Sequence, residues 1–216
     1  RVAANEYIQK SMDHTAAMYE RRRREPRDDL LTHLVNARDE RGVLSEGELV
    51  TLFSTIFGSG GTTGTVIASG MAELAKHPEQ ARMLREDPDR WKRGASEEVL
   101  RYRPALPIIP QMASENLRAF GLDEDLKAGT VVNVLIKSLN RDETQWDDPD
   151  RFDITRNPNQ YSMAFGIGAH FCLGQALARA TVEEALAVFV ERGYDIELLD
   201  EKRWVPFVVE HRLENL

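Results

Sequence analysis

The chain has one cysteine, and its setting limits the folds open to the sequence more than any other feature. Cys172 lies in Phe165-Gly166-Ile167-Gly168-Ala169-His170-Phe171-Cys172-Leu173-Gly174. Glycines four residues before it and two after it let the backbone turn where a Cβ would obstruct. An amphipathic pattern follows, which predicts a helix over 173–192 with the cysteine at its start. A helix N-terminus stabilises thiolate over thiol. Gly168 and Gly174 are expected to let backbone N–H groups turn towards the sulfur, the kind of bonding that tunes a metal thiolate. Phe165, seven residues earlier, is placed to cover the sulfur. A cysteine considered alone is most often a small buried hydrophobe. With no second cysteine there is no internal disulfide, which excludes a small disulfide-stapled scaffold and makes a cytoplasmic setting the expectation.

The rest of the chain divides by texture. Up to residue 103 it reads as helix after helix. Ala4, Ile8, Met12, Ala16 and Tyr19 form an apolar stripe at helical spacing, ending in the run Arg21-Arg22-Arg23-Arg24. That run suits a solvated helix end, where cations complement the dipole. Asp28 or Asp29 is a candidate cap for a helix through Leu30, Leu31, Leu34 and Val35. Ser45-x-x-Glu48 reads as a capping box before Leu49, Leu52, Phe53, Ile56 and Phe57. If that helix persists to Lys76 it runs for about 30 residues, or about 45 Å. Pro78 and Pro88 fit the first turns of two further helices. Over 104–153 prolines, turns and short β-branched runs such as Val131-Val132-Asn133-Val134 predict small sheet and loop. Strand-like segments follow at 194–198 and 205–209. The balance of 36 acidic against 28 basic residues argues against broad binding to nucleic acid or an anionic membrane. No apolar run approaches the roughly 20 residues of a membrane helix, and no signal-peptide pattern opens the chain. Arg1 in place of a methionine suggests a piece of something longer.

Gly58-Ser59-Gly60-Gly61-Thr62-Thr63-Gly64-Thr65 places four glycines in a stretch that otherwise reads as helix. Each costs about 0.8–1.0 kcal/mol against alanine in a helix interior. Three readings stand: a phosphate-binding loop, a plain helix break, or a helix whose backbone lies directly against a flat ligand with Thr62 and Thr63 facing it. The first lacks the P-loop lysine, and the third glycine of G-x-G-x-x-G falls on Thr63. No strand follows for some 50 residues, which leaves a βαβ unit no room to close.

These motifs together resemble the cytochrome P450 family. Phe165, Gly168, Cys172 and Gly174 match F-x-x-G-x-x-x-C-x-G; Glu98-Val99-Leu100-Arg101 matches E-x-x-R; Asp148-Pro149-Asp150-Arg151-Phe152 matches the loop that carries a second arginine. The order Thr62, Glu98, Arg151, Cys172 is the family's order, and the likeness is to soluble bacterial members. The resemblance implies a mainly α (α+β) fold, with haem b enclosed between a long central helix at 46–76 and the loop at 165–174. Residues 1–216 are then expected to be the carboxy-terminal part of a single cytochrome P450 domain. Cys172 would be the axial thiolate ligand. Phe165, Gly166, His170, Gly174 and Gln111 would contact the cofactor, with His170 and Gln111 towards its propionates. Thr62, with Thr63 and Ser59, would order protons on the opposite face. Glu98, Arg101 and Arg151 would form a structural network. Ser54, Phe57, Gly58, Ile108 and Ile109 would face a small hydrophobic substrate.

Three departures qualify the likeness. Gly61 stands where the family usually has an acid before the threonine, so no carboxylate is present there to relay protons. Gln111 stands where an arginine often binds a propionate, and a neutral amide bonds it more weakly. The family's front half, which carries a sheet and the loop over the substrate, finds no counterpart. The expected function is insertion of one oxygen atom from O2 into an organic substrate, with electrons from a ferredoxin- or flavodoxin-type partner. Such a partner would approach the Cys172 face, near Arg101, Arg103 and Arg179. Altered oxygen chemistry (a peroxygenase, dehydratase or isomerase) and a non-catalytic fragment are the alternatives.

Overall fold

A computed structural model describes residues 2–41, 44–118 and 121–193. The strand-like segments expected at 194–198 and 205–209 lie outside those residues. The chain divides into two compact units, Arg1–Gly61 and Thr62–Leu216.

The first unit holds α1 (Val2–Arg24), α2 (Leu30–Arg41) and α3 (Glu46–Gly58). Tyr19, Leu31, Val35, Leu49 and Phe53 bury one face of each helix in a shared core. Helix starts follow the local chemistry. Asp29, rather than Asp28, holds the first turn of α2: its Oδ1 accepts from the Thr32 N–H at 2.9 Å and the Thr32 hydroxyl at 2.8 Å. At α3 the capping box is complete, with Ser45 Oγ accepting from the Glu48 N–H and the Ser45 N–H donating to Glu48 Oε2 at 2.7 Å. The arginine run does not point wholly to water. Arg22 turns inward and its Nε donates to Asp29 Oδ2 at 2.5 Å.

The long helix expected over 46–76 is interrupted. α3 ends at Gly58, and α4 (Gly60–Lys76) restarts one residue later. Ser59 keeps helical dihedrals, but its hydroxyl donates back to the Ile56 carbonyl at 2.7 Å. Serine hydroxyls that bond to the preceding turn loosen helices, and the glycines on either side resist this least.

The second unit contains α4, α5 (Pro78–Glu86), α6 (Pro88–Tyr102), β1 (Ile109–Met112), β2 (Val131–Val134), α7 (Ile136–Leu139) and α8 (Gln175–Glu191). Both prolines fall in first turns, as the sequence predicts. Val66, Leu74, Leu84, Val99, Phe152, Ile154, Val182 and Leu186 form its core. Two glycines permit close approach there. A Cβ at Gly70 would stand 2.9 Å from Leu186 and 3.1 Å from Val99, so α4 lies directly against α6 and α8. A Cβ at Gly94 would stand 2.3 Å from the Ile154 carbonyl oxygen, which brings the 150s loop onto α6. Gln80 secures the same loop: its amide donates to the Phe152 carbonyl at 2.6 Å and accepts from the Ile154 N–H at 2.8 Å. Among the described residues the sheet is one antiparallel pair in the register Ile109↔Val134, Gln111↔Val132. Among the described residues no helix is long and apolar enough to cross a membrane.

Candidate active site around Cys172

The cysteine loop is built from short turns held at both ends. Ser162 Oγ accepts from the Ala164 N–H at the start of a 3-10 turn over Met163–Phe165. Asn140, buried after α7, accepts the Met163 N–H on Oδ1 at 2.8 Å and donates from Nδ2 to the Arg101 carbonyl at 3.2 Å. One side chain therefore ties the loop to α6. Gly166 and Gly168 take φ of +72° and +80°, which L side chains adopt only with strain. The Phe171 N–H donates to the Gly168 carbonyl, closing a second 3-10 turn that contains His170.

Cys172 is half-buried and lies two residues before the Gly174 cap of α8. The expected turning of glycine-flanked amides to its sulfur is not what orders the loop. The Cys172 N–H donates to the Phe165 carbonyl at 3.0 Å, which pins the aromatic residue to the cysteine through backbone. Gly174 has φ −86°, so its conformation does not demand glycine, and a Cβ there would meet nothing within 4 Å. The same holds for Gly58, Gly60, Gly61 and Gly64, none of which has a packing partner that excludes a Cβ. Ile167, Phe171 and Leu173 present apolar surface around the cysteine. Among the described residues no group of three or more His, Cys, Asp or Glu side chains could hold a metal ion.

Below the loop, α6 carries a buried ion pair. Arg101 Nε and Nη2 each donate to Glu98 at 2.7 Å, and both side chains are 1% exposed. Arg101 also donates to the carbonyls of Asn140, Pro149 and Arg151 at 2.9, 2.8 and 3.1 Å. Its five N–H groups are thus matched one for one. Glu98 Oε1 further accepts the Asp153 N–H at 2.8 Å. Arg151, expected as the third member, contributes only its backbone carbonyl. Its guanidinium is 63% exposed and pairs with Asp153 at 2.9 Å. Arg156 takes the place instead, with Nε 3.5 Å from Glu98 Oε1 and its two Nη groups on the carbonyls of Asp147, Asp148 and Arg151. The loop curls after Asp148, whose φ is +46°, and this brings position 156 inward while 151 turns out.

The other expected positions distribute as follows. Thr62 and Thr63 are half-buried in the first turn of α4, whereas Gly61 is exposed. Ser59 donates within its own turn. Ser54 donates to Thr15 Oγ1 at 3.0 Å. Phe57 meets Phe53 in a tilted pair with ring centres 4.8 Å apart and opens onto a groove of about 420 Å³ with Met18, Leu30, Leu31 and Ile56. Gln111 is exposed on β1, next but one to half-buried Ile109; Ile108 precedes the strand.

Two arginines expected to face a partner are otherwise engaged. Arg101 is buried, and Arg103 donates to Glu73 Oε1 at 3.0 Å. Burial pushes the Glu73 carboxyl up, but Arg103 and Lys76 outweigh it and hold the group below its ordinary value. The pair sequence reasoning missed is Glu97 with Arg179, 82 residues apart. Arg179 Nε donates to Glu97 Oε1 and Nη1 to Gln175 Oε1, and its guanidinium lies 4.6 Å from the Phe165 ring centre. Burial pushes the Glu97 carboxyl above its ordinary value, opposed by the Arg179 bond. Only the two acidic residues in a row before Val99 hinted at a second inward carboxylate.

Comparison with known proteins gives a consistent result. A family model described as Cytochrome P450 matches residues 2–206. The chain is 37% identical to luteothin monooxygenase of Streptomyces thioluteus over 205 residues, covering 94% of this chain and 50% of that protein. It is 38% identical to mycinamicin IV hydroxylase/epoxidase of Micromonospora griseorubida over 184 residues, covering 84% and 45%. The fold superposes with a TM-score of 0.87 on P450BioI, solved in complex with an acyl carrier protein ligated to hexadec-9Z-enoic acid. There the identity is 32%, and the match covers 99% of this chain and 54% of that one. The chain spans about half the length of the curated relatives it matches.

Proposed function

The chain belongs to the cytochrome P450 family, whose members bind haem b through a cysteine thiolate, and from that premise we propose that it supplies the haem-ligating part of a monooxygenase. The observation that carries the reading is a lone half-buried cysteine at a helix start, ringed by exposed apolar side chains and by glycines that protein packing does not explain. A metal caged by side chains needs three or four donors. A single thiolate instead suits iron already held by a macrocycle, and the Cβ-free backbone at 166, 168 and 174 suits a flat neighbour.

When bound, haem supplies the oxygen chemistry, inserting one atom of O2 into an organic substrate while external electrons and protons reduce the other to water. The chain's own residues hold and shield that chemistry. Cys172 would bind as thiolate, and Phe165 would exclude water from it. His170 and Gln111 would donate hydrogen bonds to the propionates. Gly166 and Gly174 allow close approach. Thr62, with Thr63 and Ser59, would hold protons for the oxygen chemistry. The family resemblance assigns Ser54, Phe57, Gly58, Ile108 and Ile109 to a small hydrophobic substrate. The acyl carrier protein seen with P450BioI belongs to that protein; the expectation carried to this chain is an apolar substrate only. A ferredoxin- or flavodoxin-type donor in the cytoplasm supplies electrons. The test is a carbon monoxide difference spectrum of the reduced full-length protein. A thiolate-type Soret shift that Cys172→Ser abolishes supports the reading, and a wild-type spectrum without it overturns the reading.

Gly61 favours a second reading, in which oxygen is handled without a proton-relaying carboxylate, as in a peroxide-driven enzyme. A Cβ at Gly61 meets nothing within 4 Å, so space does not forbid an acid there. Gly61→Asp should raise the fraction of reducing equivalents that appear in product. Unchanged coupling would count against a missing relay and so against the peroxide-driven reading.

A further inference from the structure

Arg179 is held from four sides. Glu97 and Gln175 take two of its N–H groups, and the rings of Tyr161 and Phe165 lie on it at 4.7 and 4.6 Å. The Tyr161 hydroxyl accepts in turn from Arg93 Nη2 at 3.2 Å. A guanidinium within about 6 Å of an aromatic centre is attracted to the ring face, and more strongly where water is excluded. The Arg179 side chain is 16% exposed and Glu97 6%. This is a largely desolvated cation held between two rings, one of which belongs to the residue whose carbonyl accepts the Cys172 N–H.

Glu97 is an incomplete partner. Its Oε2 is buried without a hydrogen-bond partner among the described residues. The charged groups around it are Arg179, Arg93 and Glu183. A pair serving stability alone would gain from a second donor at Oε2, as Glu98 one residue on obtains from its neighbours.

Resting on the haem-thiolate reading above, we propose that Arg179 is a positioning residue that holds the Phe165 ring against the cysteine loop and places a fixed positive charge beside it, with Glu97 limiting that charge. A cation near a metal–thiolate centre favours the reduced, more negative state, and a carboxylate opposes it. Arg179 therefore raises the haem reduction potential and Glu97 moderates the rise.

The experiment measures reduction potential, haem content and the Soret position of the reduced carbon monoxide complex in the full-length haem-loaded protein. R179M should shift the one-electron equilibrium about tenfold towards the oxidised state, or about 59 mV. R179K, which keeps the cation but not the planar stack, should recover at least half of that shift. E97Q should move the potential the other way by threefold or more, and it decides the matter if R179M fails to load haem. An R179M or E97Q potential within threefold of wild type in the loaded variant overturns the proposal, as does an R179K value as low as that of R179M. A wild-type protein without a thiolate-type Soret shift defeats the haem reading itself, a different and separately visible result.

Discussion

Glu97 and Glu98 are neighbours on one helix, both buried and both paired with arginine, yet their situations differ. Glu98 meets Arg101 on both oxygens and accepts the Asp153 amide besides. Its partner arginine has every N–H bonded. Glu97 meets a single arginine on one oxygen, leaves the other bare and lies above its ordinary pKa because of burial. Burial of a charge is tolerated when the hydrogen-bond inventory closes and is strained when it does not. The closed pair stitches α6 to loops at 140 and 149–153. The open pair sits beside Phe165 and the cysteine loop. The Glu98–Arg101 pair is matched bond for bond, whereas Glu97 keeps a bare buried oxygen beside the residue that the proposal above ties to the cysteine loop.

The sharpest way to break this comparison is to truncate both carboxylates. Glu98→Ala should cost about 3–5 kcal/mol, because Arg101 is left buried and unpaired. Glu97→Ala should cost markedly less, about 1–3 kcal/mol, because one bond is lost and one bare oxygen goes with it. Urea unfolding of the two variants decides, and the reverse order would end the distinction. A smaller effect separates the two loop arginines. Arg156→Met removes donors to three carbonyls and should cost about 1–2 kcal/mol. Arg151→Met should stay within about 0.5 kcal/mol, as expected of an exposed side chain. Equal losses would return Arg151 to the network.

The smallest effect concerns a third arginine–carboxylate pair, Arg22 with Asp29 in the first unit. The Thr32 amide donating to Asp29, with Arg22 beside it, lowers that carboxyl to about 2 from an ordinary 3.8. A carboxylate with a depressed folded pKa stabilises above its unfolded value and loses the contribution as pH falls towards the folded one. Thermal unfolding of Asp29→Asn should therefore trail wild type at pH 5–7 and converge with it between about pH 4 and pH 2. A constant gap across that range would show that the charge is irrelevant.

Much of the site was readable in order along the chain, because its signals are local. The glycine-flanked cysteine, the Ser45–Glu48 box, prolines at helix starts and the three-residue spacing of Glu98 and Arg101 each depend on residues a turn apart. What spans many residues was not readable. A reversal after Asp148 decided that Arg156, and not Arg151, reaches Glu98. A hydroxyl bonding backwards at Ser59 interrupted a helix that periodicity alone would continue. Arg179 found Glu97 because α6 packs on α8 through a core that includes Val99, Val182 and Leu186, and helix contacts of that kind carry no fixed spacing in sequence. The sequence by itself determined which chemistry the chain is equipped for, since thiolate, turns and caps are properties of neighbouring residues. Tertiary structure alone decided which charges are satisfied, since desolvation and distance exist only once distant segments pack.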